Sequence, residues 1–172
     1  MSRSNPWKKR PRHTRHTTLI VVEGDTEKAF IQHLKNLCGR DCGSRIKIEN
    51  AHGGDGNAVL KQAIKLCPSF NACLCLYDGD RKATIKKNLK QADRLKIKQV
   101  VSIPCIEGFL LEILNRPVPR ESASCKKALH DHLNIRSLTS VQAFQKHFPE
   151  QLLRMRKDDI PDLRKIFETI GQ

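Results

Sequence analysis

Four short strand-like runs alternate with amphipathic segments over the first two-thirds of the chain, and this alternation constrains the fold more than any other feature. The runs cover residues 17–22, 45–50, 72–77 and 99–103, and Pro104 breaks the last of them. Three of the runs are mainly apolar, and in the second Ile46 and Ile48 alternate with polar residues. Apolar residues recur at helical spacing in the segments between the runs. Strands separated by helices of this length form right-handed crossovers. We therefore predict a Rossmann-like α/β fold, with a four-stranded, mainly parallel sheet flanked by helices.

The remaining segments differ from this core in their patterning. Residues 1–16 are dense in Lys, Arg and His and lack a helical or strand period, which predicts a flexible basic arm. Residues 17–104 hold the α/β core. Residues 105–172 lack strand signals, and we expect a helix at about 106–114 followed by two or three more amphipathic helices. At 172 residues, one domain with extensions is the economical organisation.

The charge balance indicates what kind of partner the chain binds. It contains 32 Lys and Arg against 18 Asp and Glu, a formal net charge of +14. Such an excess favours a phosphate-rich partner, because each cation placed near a phosphate releases condensed counterions. A generic basic surface would produce the same composition. Charge alone therefore leaves nucleic-acid binding and a merely basic surface as alternatives.

The seven cysteines bear on the cellular compartment and on metal binding. No CxxC pair occurs among them, which argues against a zinc knuckle. Two of them, Cys73 and Cys75, lie within an apolar run, where reduced cysteine acts as a small hydrophobe. The sequence shows neither the apolar core of a signal peptide nor a run near the roughly 18 apolar residues of a membrane helix. We expect a soluble cytoplasmic protein without membrane association.

Acidic residues follow two of the predicted strands. Glu23 comes directly after the first strand, and Asp78 and Asp80 come after the third. Open α/β sheets place their chemistry at the carboxyl ends of parallel strands. Carboxylates are hard oxygen ligands suited to Mg²⁺ or Mn²⁺. The spacing therefore predicts a site for one or two divalent cations that faces a polyanion.

These two acidic motifs, VVEGDTE at 21–27 and LYDGD at 76–80, together resemble the TOPRIM domain of topoisomerases, primases and OLD-type nucleases. The resemblance spans residues 17–104 and implies a TOPRIM-like sheet. It implies that Glu23 is the catalytic glutamate, that Glu27 assists it, and that Asp78 and Asp80 form a metal-binding pair. Viewed without the resemblance, Glu27 could simply favour the start of a helix, and residues 78–80 could be an ordinary turn.

A second likeness begins at the fourth strand. The segment SIPCIEGFLL at 102–111 is similar to the RloB-like branch of small TOPRIM nucleases, which is associated with prokaryotic defence against phages. The similarity implies a nuclease with a helical C-terminal extension, and it adds Glu107 as a further acid. The match departs at Gly108, where a bulky aromatic is more usual.

From these patterns and resemblances we predict an Mg²⁺ or Mn²⁺ dependent phosphodiesterase that cleaves DNA or RNA, with a role in antiviral defence. The expected catalytic residues are Glu23, Glu27, Asp78 and Asp80. The expected metal ligands are Glu23, Asp78, Asp80 and Glu107. The expected nucleic-acid contacts are basic residues of the arm and of the segment after Asp80, namely Lys8, Lys9, Arg10, Arg12, Arg81, Lys82, Lys86 and Lys87.

Two alternatives from other classes stay open. One is a noncatalytic nucleic-acid-binding module that keeps the TOPRIM fold as a scaffold. The other is a regulatory subunit that is active only with a partner such as an ATPase, since the chain lacks a Walker motif. A homo-oligomer is compatible with all three. The turn at 52–56 (HGGDG) could cradle a phosphate through backbone N–H groups, although a turn with Asp55 as a helix cap is the simpler interpretation.

Overall fold

A four-stranded parallel sheet forms the centre of the computed structural model, which describes residues 16–38, 44–79 and 86–171. The strands are β1 (His16–Val22), β2 (Ser44–Asn50), β3 (Ala72–Asp78) and β4 (Lys98–Ser102). The helices are α1 (Asp25–Cys38), α2 (Gly56–Leu66), α3 (Lys86–Arg94), α4 (Ile106–Ile113), α5 (Ser122–Leu133), α6 (Val141–His147), α7 (Glu150–Arg156) and α8 (Pro161–Ile170), with a short 3-10 helix at Cys67–Ser69. The predicted α/β class is confirmed.

The strand order places a crevice at the middle of the sheet. The order is β2-β1-β3-β4, and every adjacent pair is parallel. The chain moves from β1 outward to β2 and then returns to the other side of β1 to form β3. The switch point therefore lies between β1 and β3. In open α/β sheets, ligands bind outside the carboxyl ends of the strands at such a point.

Alternating side chains of the strands build a separate core on each face of the sheet. Ile20 and Val22 of β1 face a large core shared with α1 and with α4 to α8. Leu19 and Val21 face a smaller core shared with α2 and α3. Both faces of β1 are therefore covered, as an apolar run in a parallel sheet requires.

Aromatic side chains join the first helix to the C-terminal helices. The Phe30 ring of α1 lies 5.4 Å from the Phe144 ring of α6 and 6.2 Å from the Phe109 ring of α4, between centroids. Phe144 in turn packs against Phe148, with 5.4 Å between centroids. Aromatic pairs at these separations are favourable. Together with α1, the C-terminal helices thus cover one face of the sheet.

The region after α4 contains four helices rather than the two or three predicted. The additional one is α7, whose seven residues bury only Leu153. A helix with one buried residue has no apolar stripe for periodicity to detect. The other three helices have the buried apolar residues that an amphipathic pattern indicates, within or directly after the helix, including Leu129, Phe144, Phe148, Leu163, Ile166 and Ile170.

The glycine-rich turn before α2 is a helix cap. Asp55 is the N-cap residue, and its side chain accepts a hydrogen bond from the Ala58 N–H at 3.1 Å. A Cβ atom at Gly56 would collide with the Tyr77 ring on β3. Gly56 thus permits the close approach of α2 to the sheet, and the turn serves packing.

The described cysteines and helices can be compared with the expectation of reduced thiols and no membrane association. All six described cysteines are free thiols, and Cys42 lies outside the described residues. Within the described ranges, the helices lack the length and apolar content that a membrane span requires.

Candidate acidic site at the carboxyl edge of the sheet

Glu23 and Asp78 meet at the switch point between β1 and β3. Val22, the last residue of β1, pairs with Leu76, so Glu23 follows β1 beside the last two residues of β3. The backbone N–H of Asp78 donates a hydrogen bond to Glu23 Oε2 at 3.0 Å. This bond fixes the Glu23 carboxylate against the end of β3, in the crevice that the strand order creates.

Glu27 enters the same crevice from the first turn of α1. Its side chain is buried, with 5% of its surface exposed. The Glu27 Oε2 atom lies 3.1 Å from the position that a Cβ on residue 24 would occupy, so Gly24 leaves room for the carboxyl group. Burial, followed by the negative charges of Glu23 and Glu107, raises the pKa of Glu27 from 4.5 to about 7. Glu27 therefore titrates close to neutral pH.

Asp78 is held from the side of α4. The backbone N–H of Ile106, the first residue of α4, donates to Asp78 Oδ1 at 2.8 Å. Burial raises the pKa of Asp78 from 3.8 to about 8, with further increases from the charges of Glu27 and Glu23. The hydrogen bond from Ile106 opposes this increase because it stabilises the carboxylate.

Glu107 completes a group of four acids that we call the acidic cluster: Glu23, Glu27, Asp78 and Glu107. Glu107 is the second residue of α4 and is half-buried. Its charge raises the pKa of both Glu27 and Asp78, so it lies within electrostatic range of both carboxyl groups. The neighbouring Cys105 is buried, and burial raises the pKa of its thiol to about 12. Cys105 is therefore a neutral thiol at the edge of the cluster.

Two polar residues at the same edge of the sheet are absent from the sequence-based prediction. Asn50, the last residue of β2, is buried and donates from Nδ2 to Asp25 Oδ1 at 2.8 Å. Ser102, the last residue of β4, is 2% exposed and pairs in register with Asp78. Asn50 ends the predicted run 45–50, and Ser102 lies one residue before the end of the predicted run 99–103. The position at a strand end was the available signal, but polar residues there are also common in turns.

The structure brings together four of the predicted site residues, namely those of the acidic cluster. Asp80 and the predicted nucleic-acid contacts Lys8, Lys9, Arg10, Arg12, Arg81 and Lys82 lie outside the described residues. Lys86 and Lys87 open α3, and the structure describes their backbone only. Within ranges 16–38, 44–79 and 86–171, no three His, Cys, Asp or Glu side chains stand in a metal-binding arrangement.

Comparison with known proteins gives one match. The family model described as RloB-like protein matches residues 18–162, which covers the sheet, the acidic cluster and the helices up to the start of α8. No curated protein and no solved structure matches the chain.

Proposed function

The chain belongs to the RloB-like family, and we propose that it is a metal-dependent nuclease that hydrolyses phosphodiester bonds of DNA or RNA through an acidic cluster of the TOPRIM type. One observation carries the proposal. At the switch point of a parallel sheet, the backbone N–H of Asp78 donates a hydrogen bond to Glu23 Oε2 at 3.0 Å. Glu27 and Glu107 approach these two residues from two helices.

The chemistry of these side chains fits a divalent cation. All four are carboxyl groups, and hard oxygen donors are the ligands that Mg²⁺ and Mn²⁺ prefer. We propose Glu23, Asp78, Asp80 and Glu107 as the residues that hold the ion. When bound, the cation supplies Lewis acidity to the phosphate and lowers the pKa of water.

Glu27 is suited to proton transfer. In the metal-free protein the pKa of Glu27 is raised to about 7, so the carboxyl group is partly protonated at neutral pH and can accept or release a proton at its oxygens. Glu27 lies in the first turn of α1, and its burial keeps most of the group away from solvent. We therefore assign Glu27 the role of general acid or base.

A basic surface on α2 and α3 supports binding of a polyanion. Lys61 and Lys65 of α2 and Lys90 and Arg94 of α3 are exposed. The two helices pack together on one face of the sheet, and the side chain of Asn88 donates a hydrogen bond to that of Asn57. Helix α3 follows the strand that carries Asp78. We propose that nucleic acid runs across this α2–α3 surface to the acidic cluster.

A cleavage assay with one conservative substitution tests the proposal. Glu23→Gln keeps an oxygen that can accept from the Asp78 N–H but removes the charge. The control is Glu112→Gln, which changes an exposed glutamate of the same chain. With labelled single- and double-stranded DNA and RNA, we expect wild type and Glu112→Gln to cut in Mg²⁺ or Mn²⁺ but not in EDTA. Glu23→Gln should lose about 100-fold or more of that activity, since removing even a group that only orients a metal ligand costs 10–100-fold.

Two results would overturn the proposal. Cleavage that survives EDTA or Glu23→Gln would place the chemistry elsewhere. Binding of nucleic acid without cleavage by the wild type would favour a noncatalytic module or a subunit that needs an ATPase partner, and co-expression with such a partner would separate these two. We further propose a role in antiviral defence, which rests on the likeness to the RloB-like branch and would be measured as phage plaque reduction that Glu23→Gln abolishes.

A further inference from the structure

We infer that Ser102 is a positioning residue of the acidic cluster, whose hydroxyl holds the Asp78 carboxylate from the β4 side when the site takes up a divalent cation. The inference rests on the proposed function and adds a residue to that site.

The register of the sheet places Ser102 beside Asp78. The two residues are paired across β3 and β4, and the Gly79 N–H donates to the Ser102 carbonyl oxygen at 2.8 Å. Two residues earlier, Leu76 and Val100 face the core that contains α4. Because side chains alternate along a strand, Asp78 and Ser102 point to that same face.

The Ser102 hydroxyl is buried and lacks a hydrogen-bond partner in the described part of the chain. A buried hydroxyl without a partner is unfavourable, and such groups are rare in folded proteins. Thr169 offers a comparison, because it too is fully buried. Its hydroxyl donates to the Lys165 carbonyl oxygen at 2.8 Å and accepts from Lys98 Nζ at 3.3 Å. Among the described residues, the Ser102 hydroxyl is one of four buried side-chain polar atoms without a hydrogen-bond partner, with His16 Nδ1, His33 Nδ1 and Arg156 Nε, and it is the one that lies beside Asp78.

A carboxylate at residue 78 supplies the missing partner. Neighbouring strands lie about 4.8 Å apart, so rotation about the side-chain bonds of Ser102 and Asp78 brings the hydroxyl within reach of an Asp78 oxygen. Asp78 Oδ1 is already held by the Ile106 N–H from α4. A carboxylate accepts several hydrogen bonds. A metal-bound Asp78 would then be oriented from α4 on one side and from β4 on the other.

The test compares Ser102→Ala with Thr169→Val by two measurements: Mn²⁺ affinity by titration calorimetry and thermal melting in EDTA. For Ser102→Ala we expect the Kd for Mn²⁺ to rise about 10-fold or more, as loss of a group that orients a ligand does. Its melting temperature in EDTA should equal or exceed that of wild type, because the substitution removes an unpaired polar group. Thr169→Val should melt lower and bind Mn²⁺ like wild type.

A second variant distinguishes the hydrogen-bonding capacity of the hydroxyl from the space that the side chain fills. Ser102→Cys keeps the shape of the side chain, with a somewhat larger sulfur in place of the oxygen, but supplies only a weak donor, so it should lose Mn²⁺ affinity as Ser102→Ala does. Unchanged Mn²⁺ affinity in both Ser102 variants would overturn the inference while leaving the proposed function intact. A wild-type protein that neither binds Mn²⁺ nor cleaves would overturn both.

Discussion

At the scale of single residues, the acidic cluster concentrates carboxyl groups where their charge is least favourable. Glu27 is buried and Asp78 is half-buried, both beside other acids, and burial and the neighbouring charges raise their pKa values. A glutamate on the surface would be solvated and would keep a pKa near the ordinary 4.5. The metal-free protein is therefore less stable when these groups ionise.

The raised pKa of Glu27 makes the stability of the metal-free protein depend on pH. The pKa of Glu27 is about 7 in the folded state against 4.5 ordinarily, so its contribution to stability is complete below about pH 4.5 and is lost as the pH rises through 7. In EDTA, the free energy of unfolding of the wild type should fall between pH 5 and pH 8. Glu27→Gln should reduce that fall by on the order of 2 kcal/mol. Urea unfolding at several pH values measures the free energy of unfolding of both proteins. Parallel pH profiles for the two would contradict a raised pKa of Glu27.

At the scale of helices and strands, hydrophobic periodicity predicted most elements. The runs that ended at Val22 and Tyr77 correspond to β1 and β3, because strands covered on both faces must be apolar throughout. Helix α7 was missed because it buries a single leucine. Strands and helices with a repeated apolar pattern can thus be predicted from the sequence. A short helix that buries a single residue has no such pattern and cannot.

The α2–α3 surface supports a prediction at the same scale. Lys61→Gln with Lys65→Gln removes two charges from α2, and Lys126→Gln with Lys127→Gln removes two exposed charges from α5, which packs on the opposite face of the sheet. We expect the α2 variant to bind nucleic acid more weakly. The slope of log binding constant against log salt concentration, which is negative, should become about 2 less steep. The α5 variant should keep the wild-type slope. Fluorescence anisotropy at several salt concentrations measures the binding constants of both variants. Equal effects of the two variants would contradict binding of nucleic acid on the α2–α3 surface.

At the scale of the whole molecule, the site depends on topology. The sequence shows Glu23 and Asp78 as residues after two strands, and their meeting follows once β1 and β3 are neighbours in a parallel sheet. The role inferred for Ser102 could not be predicted in this way. It depends on the register between β3 and β4 and on the burial that α4 and the sheet impose together. A strand-end serine in a sequence carries no sign of an unpaired hydroxyl.

The central claim is that the carboxyl edge of the sheet binds the divalent cation used in phosphodiester hydrolysis. Anomalous diffraction from crystals soaked in Mn²⁺ tests it most directly, because it locates the ion independently of activity. We expect a manganese peak in contact with carboxylate oxygens of Glu23 and Asp78 at saturating Mn²⁺, and loss of that peak in Asp78→Asn. Manganese bound only elsewhere on the chain, or a peak that persists unchanged in Asp78→Asn, would contradict it.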